Sequence, residues 1–231
     1  HDETEDLSFP PHVVVKPANT EEVAQILRVS NTYKIPTTPI GARTGLSGGA
    51  LSIYGGIAIS MERFNQIIEI GAVMIEEGEE IGRFSSLVKT DVLPDSIMQL
   101  TGITLEDLSG APSLKSVLEA FRLFLKDAIF VAHNVNFDYY FISYALEQSG
   151  FGPLLNRRLC TIELAKKCIE APKYGLSALS EHLGIPFENH HRALCDADAT
   201  KGVLLKALEK LPPEIETVEQ LIAFTKPSQM K

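Results

Sequence analysis

The order in which two periodicities follow one another constrains this chain more than any single motif. "HVVVKP" is a short apolar run closed by Pro17, and "ANTEEVAQILRVSNTYKI" sets Asn19 three residues before Glu22, with Val23, Ile26 and Leu27 at helical spacing. "PTTPI" reads as a second strand, a glycine-crowded loop "GARTGLSGGALSIYGG" follows, and "GIAIS" reads as a third strand. "IIEIGAVMIEEGEEIGRFSSLVK" then reads as two strands around a turn at Gly78. From there the pattern turns helical: "SLKSVLEAFRLFLKDA", "FDYYFISYALEQSG", "TIELAKKCIE", "GLSALSEHLG", "ALCDADATKGVLLKALEK" and "ETVEQLIAFTK" are amphipathic, with one buried strand, "IFVAHN", among them. Strands followed by helices that alternate with a central strand predict an α/β fold with a mixed sheet.

With 231 residues and 45% hydrophobic content, the chain has material for one large or two small domains, each able to bury a core. No run reaches the eighteen or so apolar residues of a membrane span, and the acidic start "HDETEDLSFPPH" does not read as a secretory signal, so the expectation is a cytoplasmic protein without a membrane partner. Cys160, Cys168 and Cys195 form no CxxC pair, which argues against a disulfide framework or a cysteine zinc site. The net charge of -9 argues against a protein that coats duplex nucleic acid through a basic surface. It leaves room for an acidic phosphodiesterase, because carboxylates that hold divalent ions repel phosphate only until the ions are bound.

Three positions between His133 and Asp198 carry chemistry. Asp138 lies just inside the helix that follows "IFVAHN", where a side chain can point over the end of a sheet. "HHRALCDADA" sets His191 at a helix start and Asp196 about one turn further in. Phosphodiester hydrolysis by two divalent ions needs several carboxylates converging on ions roughly 3.5–4 Å apart, and a nearby histidine can take a proton from the attacking water. Each residue alone is more often a surface charge or a helix cap; the set is specific.

"VAHNVNFDYYF" and "HRALCDADAT" resemble the second and third motifs of the DnaQ-like DEDDh family of 3'-5' exonucleases. "IIEIGAV", "LTGITLEDLSGAP" and "CTIELAKK" resemble the same family in the right order, over about residues 67–210. The resemblance implies an RNase H-like fold, Mg2+ or Mn2+, and stepwise release of nucleoside monophosphates from a single-stranded DNA 3' end, with a DNA polymerase subunit as a partner. It makes Asp138 and Asp196 metal ligands and His191 the general base. Thr101, Gly102 and Ile103 would approach the terminal nucleotide, Ile103 offering an apolar surface to a base. His133, Asn134 and His190 are expected to be structural.

The family's first motif is an apolar strand carrying DxE, and residues two apart on a strand share a face. Here "GIAIS" is followed by "MER", which places Ser60 at the aspartate position and Glu62 at the glutamate position, Glu62 being the remaining candidate for metal binding and catalysis. A neutral hydroxyl does not replace an anionic ligand, so the expectation is an exonuclease impaired at Ser60. Ser60→Asp would raise activity if "GIAIS" takes the first-motif place.

Residues 1–70 resemble instead the start of the FAD-binding (PCMH-like) domain of glycolate oxidase-type flavoproteins. That resemblance implies FAD contacts from Gly41, Thr44, Gly45, Ser47, Gly48 and Gly49, with Arg43 crowding the loop in place of a usual glycine. The rest of a flavin domain and its substrate domain are absent from the pattern, so bound FAD is not expected. The expected organisation is a partial FAD-binding-like segment over 1–66 and an exonuclease domain over 67–231, its first catalytic strand missing or replaced by 56–62. Two other functions fit this reading: a non-catalytic nucleic-acid or polymerase-interaction module, and a truncated FAD-dependent 2-hydroxyacid dehydrogenase fragment.

Overall fold

The computed structural model describes residues 10–17, 20–40, 53–60, 66–187 and 191–226. The chain divides into two compact units, His1–Gln66 and Ile67–Lys231.

In the first unit, β1 (Val13–Val15), helix α1 (Thr20–Tyr33), β2 (Thr37–Ile40) and β3 (Ile57–Ser60) follow the expected order. The three strands form a parallel sheet in the order β1-β3-β2. β3 is its centre: Ile57, Ala58 and Ile59 pair with Val13, Val14 and Val15 on one side and with Thr37, Thr38 and Pro39 on the other. Pro39 is tolerable because β2 is an edge strand, where a missing N–H leaves no partner unmatched. Among the described residues of this unit, the buried apolar side chains are Ile40, Ala58 and Ile59.

The second unit opens with an antiparallel hairpin, β4 (Glu69–Glu76) and β5 (Glu79–Leu87). Its tight turn places Glu77 and Gly78 at positive φ, 51° and 86°, as a two-residue hairpin connection requires. Two short helices follow, α2 (Asp95–Thr101) and α3 (Leu105–Ser109); α3 is started by a reciprocal capping box between Thr104 and Asp107. Helix α4 (Leu114–Leu125), capped by Ser113, leads to β6 (Phe130–Ala132) and α5 (Val135–Gln148). β7 (Arg158–Cys160) runs parallel to β6, and α6 (Thr161–Cys168), α7 (Leu176–Leu183), α8 (Ala193–Leu208) and α9 (Val218–Thr225) complete the chain.

Two apolar clusters hold this unit together, one on each face of its strands. The first joins Ile70 and Ala72 of β4 and Phe130 and Ala132 of β6 to α4 and α5 through Leu118, Phe121, Tyr139 and Leu146. The second joins Ile75 of β4, Val131 of β6 and Leu159 of β7 to α6, α7 and α8 through Leu164, Leu179 and Val203. This is the alternation a strand must show when helices cover both its faces. The strands nevertheless form two separate ladders, β4-β5 and β6-β7.

Candidate active site

Each of the two helices that carry the candidate carboxylates starts next to a non-glycine residue of positive φ. Asn134 (φ 72°) precedes α5, and His191 (φ 69°) precedes the Arg192 that caps α8. Non-glycine residues in the left-handed region are uncommon and gather where the chain must redirect a functional side chain. Asp138 then falls in the first turn of α5 and Asp196 in the first turn of α8. These positions also place the carboxylates at the positive ends of the helix dipoles.

Burial is the main reason that the Asp138 carboxyl is pushed up to about 6, and the neighbouring Asp196 charge raises it further. Its own backbone N–H works in the opposite sense. The two carboxylates therefore sense one another in a desolvated place, a situation that a cation relieves. Among the described residues, no group of three or more His, Cys, Asp or Glu side chains converges as a metal site. Two carboxylates in such surroundings have the chemistry a divalent ion needs from part of its ligand set.

Helix α8 is held in place from β4. Glu69, whose side chain is 7% exposed, accepts hydrogen bonds from Arg192 Nη2 (3.0 Å), Arg192 Nε (3.3 Å) and the Ala193 N–H (2.9 Å). A carboxylate that caps the first free N–H of a helix and pairs with its capping residue fixes both position and rotation. The approach is close: a Cβ on Gly71 would lie 2.3 Å from Leu194 N and 2.4 Å from Ala193 C. Glu69 and Gly71 both belong to "IIEIGAV", but their contact with the histidine-bearing turn is a long-range fact that no local pattern announces.

His133 is structural, as expected. Its Nε2 lies 2.8 Å from the Tyr174 carbonyl, which only accepts, so Nε2 carries the proton and Nδ1 receives the Thr161 hydroxyl at 2.9 Å. Burial lowers its pKa, against the Tyr174 hydrogen bond, and keeps the ring neutral. Thr101 Oγ1 donates to the Ile97 carbonyl (2.8 Å) and accepts from the Ile103 N–H (3.2 Å), so it ties off the end of α2. Gly102 is exposed at that terminus, whereas Ile103 is 2% exposed. His191 is exposed.

Ser60 ends β3, the strand whose two edges are occupied by β1 and β2. Glu62, His190 and the FAD candidates Gly41, Thr44, Gly45, Ser47, Gly48 and Gly49 lie outside the described residues.

A family model described as exonuclease matches residues 56–204, and one described as FAD binding domain matches residues 11–98, so residues 56–98 fall within both. The chain is 37% identical over 151 residues to the PolC-type DNA polymerase III of Staphylococcus haemolyticus (strain JCSC1435) and 38% identical to that of Staphylococcus aureus (strain bovine RF122 / ET3-1). Each match covers 64% of this chain and 10% of the relative, so the chain spans about a tenth of the length of these polymerases. A solved structure of exonuclease X in complex with 5' overhanging duplex DNA superposes with a TM-score of 0.53 at 24% identity, covering 69% of this chain and 90% of that one. The likeness shows a shared RNase H-like exonuclease fold. With the exonuclease model matched across more than half of its length, the chain belongs to the exonuclease family, and its amino-terminal part is similar to an FAD-binding domain.

Proposed function

We propose that the second unit acts on DNA 3' ends as a divalent-metal-dependent 3'-5' exonuclease whose site is incomplete. The observation that carries this reading is the placement of Asp138 and Asp196 in the first turns of α5 and α8, near enough that the Asp196 charge adds to the effect of burial on the Asp138 carboxyl. Exonucleases of this kind depend on divalent metal, which supplies an activated water and a counter-charge for the phosphate. Asp138 and Asp196 would hold Mg2+ or Mn2+, and His191, exposed beside the Arg192 cap, would accept the proton of the attacking water. Glu62 is the candidate for a further carboxylate, and Ser60 the neutral residue where the resemblance calls for an anion. The similarity to part of PolC-type polymerases supports a single-stranded DNA 3' end as substrate and a polymerase subunit as partner.

The non-catalytic reading, a nucleic-acid or polymerase-interaction module, is favoured by one observation: β3 carries Ser60 and uses both its edges in the amino-terminal sheet. A 5'-labelled single-stranded oligonucleotide distinguishes the two. Slow shortening from the 3' end that needs Mn2+ or Mg2+ and disappears in Asp138→Asn supports the exonuclease. Binding without metal-dependent shortening supports the module. FAD is not proposed as a cofactor.

A further inference from the structure

Helix α5 turns a stripe of aromatic rings to solvent. Phe137, Tyr140 and Tyr144 are 40%, 58% and 49% exposed. At 3.6 residues per turn they fall within an arc of about 60°, opposite Tyr139, Ile142 and Leu146, which enter the core. A rise of about 1.5 Å per residue spreads the three rings over roughly 10 Å of the helix. The outer face of a surface helix normally carries charged and polar side chains. Here the one acidic residue among the exposed residues of α5 is Glu147, at the end far from Asp138.

A cation without an anion stands beside this stripe. The Arg158 guanidinium, from β7, lies 4.8 Å from the Tyr140 ring centroid and 5.1 Å from that of Tyr139. Among the described residues it meets no carboxylate and donates no hydrogen bond, whereas Arg83, Arg157 and Arg192 each hold a carboxylate. Cation–π attraction holds the guanidinium in place and leaves its N–H groups for an acceptor from outside.

A row of exposed rings next to an unneutralised guanidinium matches both parts of a single strand, bases that stack and phosphates that need a cation. We propose that the outer face of α5, through Tyr140, Tyr144 and Arg158, holds the unpaired nucleotides of a single-stranded DNA behind the one at the carboxylates. Tyrosine and arginine also anchor protein interfaces. The stripe begins at Phe137, one residue before Asp138, and that continuity favours the polyanion on which the carboxylates would act. The proposal rests on the exonuclease reading for what lies at the end of the strand, and its test separates the two.

The test is fluorescence anisotropy of a 5'-labelled oligothymidylate of about a dozen nucleotides, titrated with the full chain in EDTA over a salt series. Tyr140→Leu combined with Tyr144→Leu is expected to weaken binding at least about tenfold. Tyr140→Phe combined with Tyr144→Phe keeps the rings and should bind within about twofold of the native protein. Arg158→Gln should lower the slope of log affinity against log salt by about 0.7, the share of one phosphate contact on a single strand. Undetectable binding by the native protein, equal loss in the leucine and phenylalanine variants, or an unchanged slope in Arg158→Gln overturns the proposal. Unchanged affinity in the leucine variant also overturns it and leaves the face to a protein partner. Metal-dependent shortening of the same oligonucleotide is read separately: its absence beside a tyrosine effect sinks the exonuclease reading alone, and its presence without one sinks the platform alone.

Discussion

The two units solve opposite halves of the folding problem. The described strands of the amino-terminal unit form one ladder with a central strand paired on both sides, but among its described residues only Ile40, Ala58 and Ile59 are buried apolar side chains. The carboxy-terminal unit buries two extensive clusters, yet its strands stop at two separate ladders. Backbone pairing and apolar burial are thus separable, and burial dominates the free energy of folding. The unit with the fuller core keeps an exonuclease fold with its described strands in two ladders.

The largest effect that separates the units is on stability. Leu118→Ala, at a fully buried site of the first cluster, should cost about 2–5 kcal/mol in denaturant unfolding and leave the amino-terminal unit's transition in place. A single transition shifted as a whole would show that the two units unfold together. Gly71→Ala should cost about 1–3 kcal/mol, because the new methyl meets the Ala193–Leu194 backbone and not a flexible side chain. The displaced α8 would carry Asp196 with it, so metal-dependent hydrolysis should fall further than stability. Glu69→Ala, read by thermal unfolding, should cost about 1–3 kcal/mol by leaving Arg192 and the Ala193 N–H without their shared carboxylate.

Asp138 has a pH dependence of defined sign. Its folded pKa of about 6 lies above the ordinary 3.8, so the folded state binds the extra proton between those values and stability falls as pH rises through that window. Asp138→Asn should therefore be more stable than the native protein at pH 8, by on the order of 1–3 kcal/mol, with the difference shrinking toward pH 4. Activity should run the other way, rising through about pH 6 as the carboxylate ionises. The smallest effect is expected at the exposed Arg157–Glu219 pair, where Arg157→Ala should leave the unfolding midpoint unchanged.

Much of this was legible in the sequence. The strand-helix-strand order before Ile40, the hairpin around Gly78 and the helices carrying Asp138 and Asp196 all follow from periodicity and turn residues. The short α2 and α3 and the three-residue β7 were not, because such elements are too brief to show a period and are stabilised by Thr104 capping and by pairing with β6. Within the candidate site, residue types announced Asp138, Asp196 and His191. The roles of Glu69 and Gly71 came only from the fold, since each contacts a residue more than a hundred positions away. The burial of Ile103 is likewise a property of the fold that an apolar residue beside a polar turn does not announce.

Whether Asp138 and Asp196 together hold a divalent ion, as proposed, is tested most directly by a Mn2+ titration followed by electron paramagnetic resonance on the native protein, Asp138→Asn and Asp196→Asn. The predicted result is weak binding in the native protein that is lost in each variant. Mn2+ binding that survives both substitutions would contradict it.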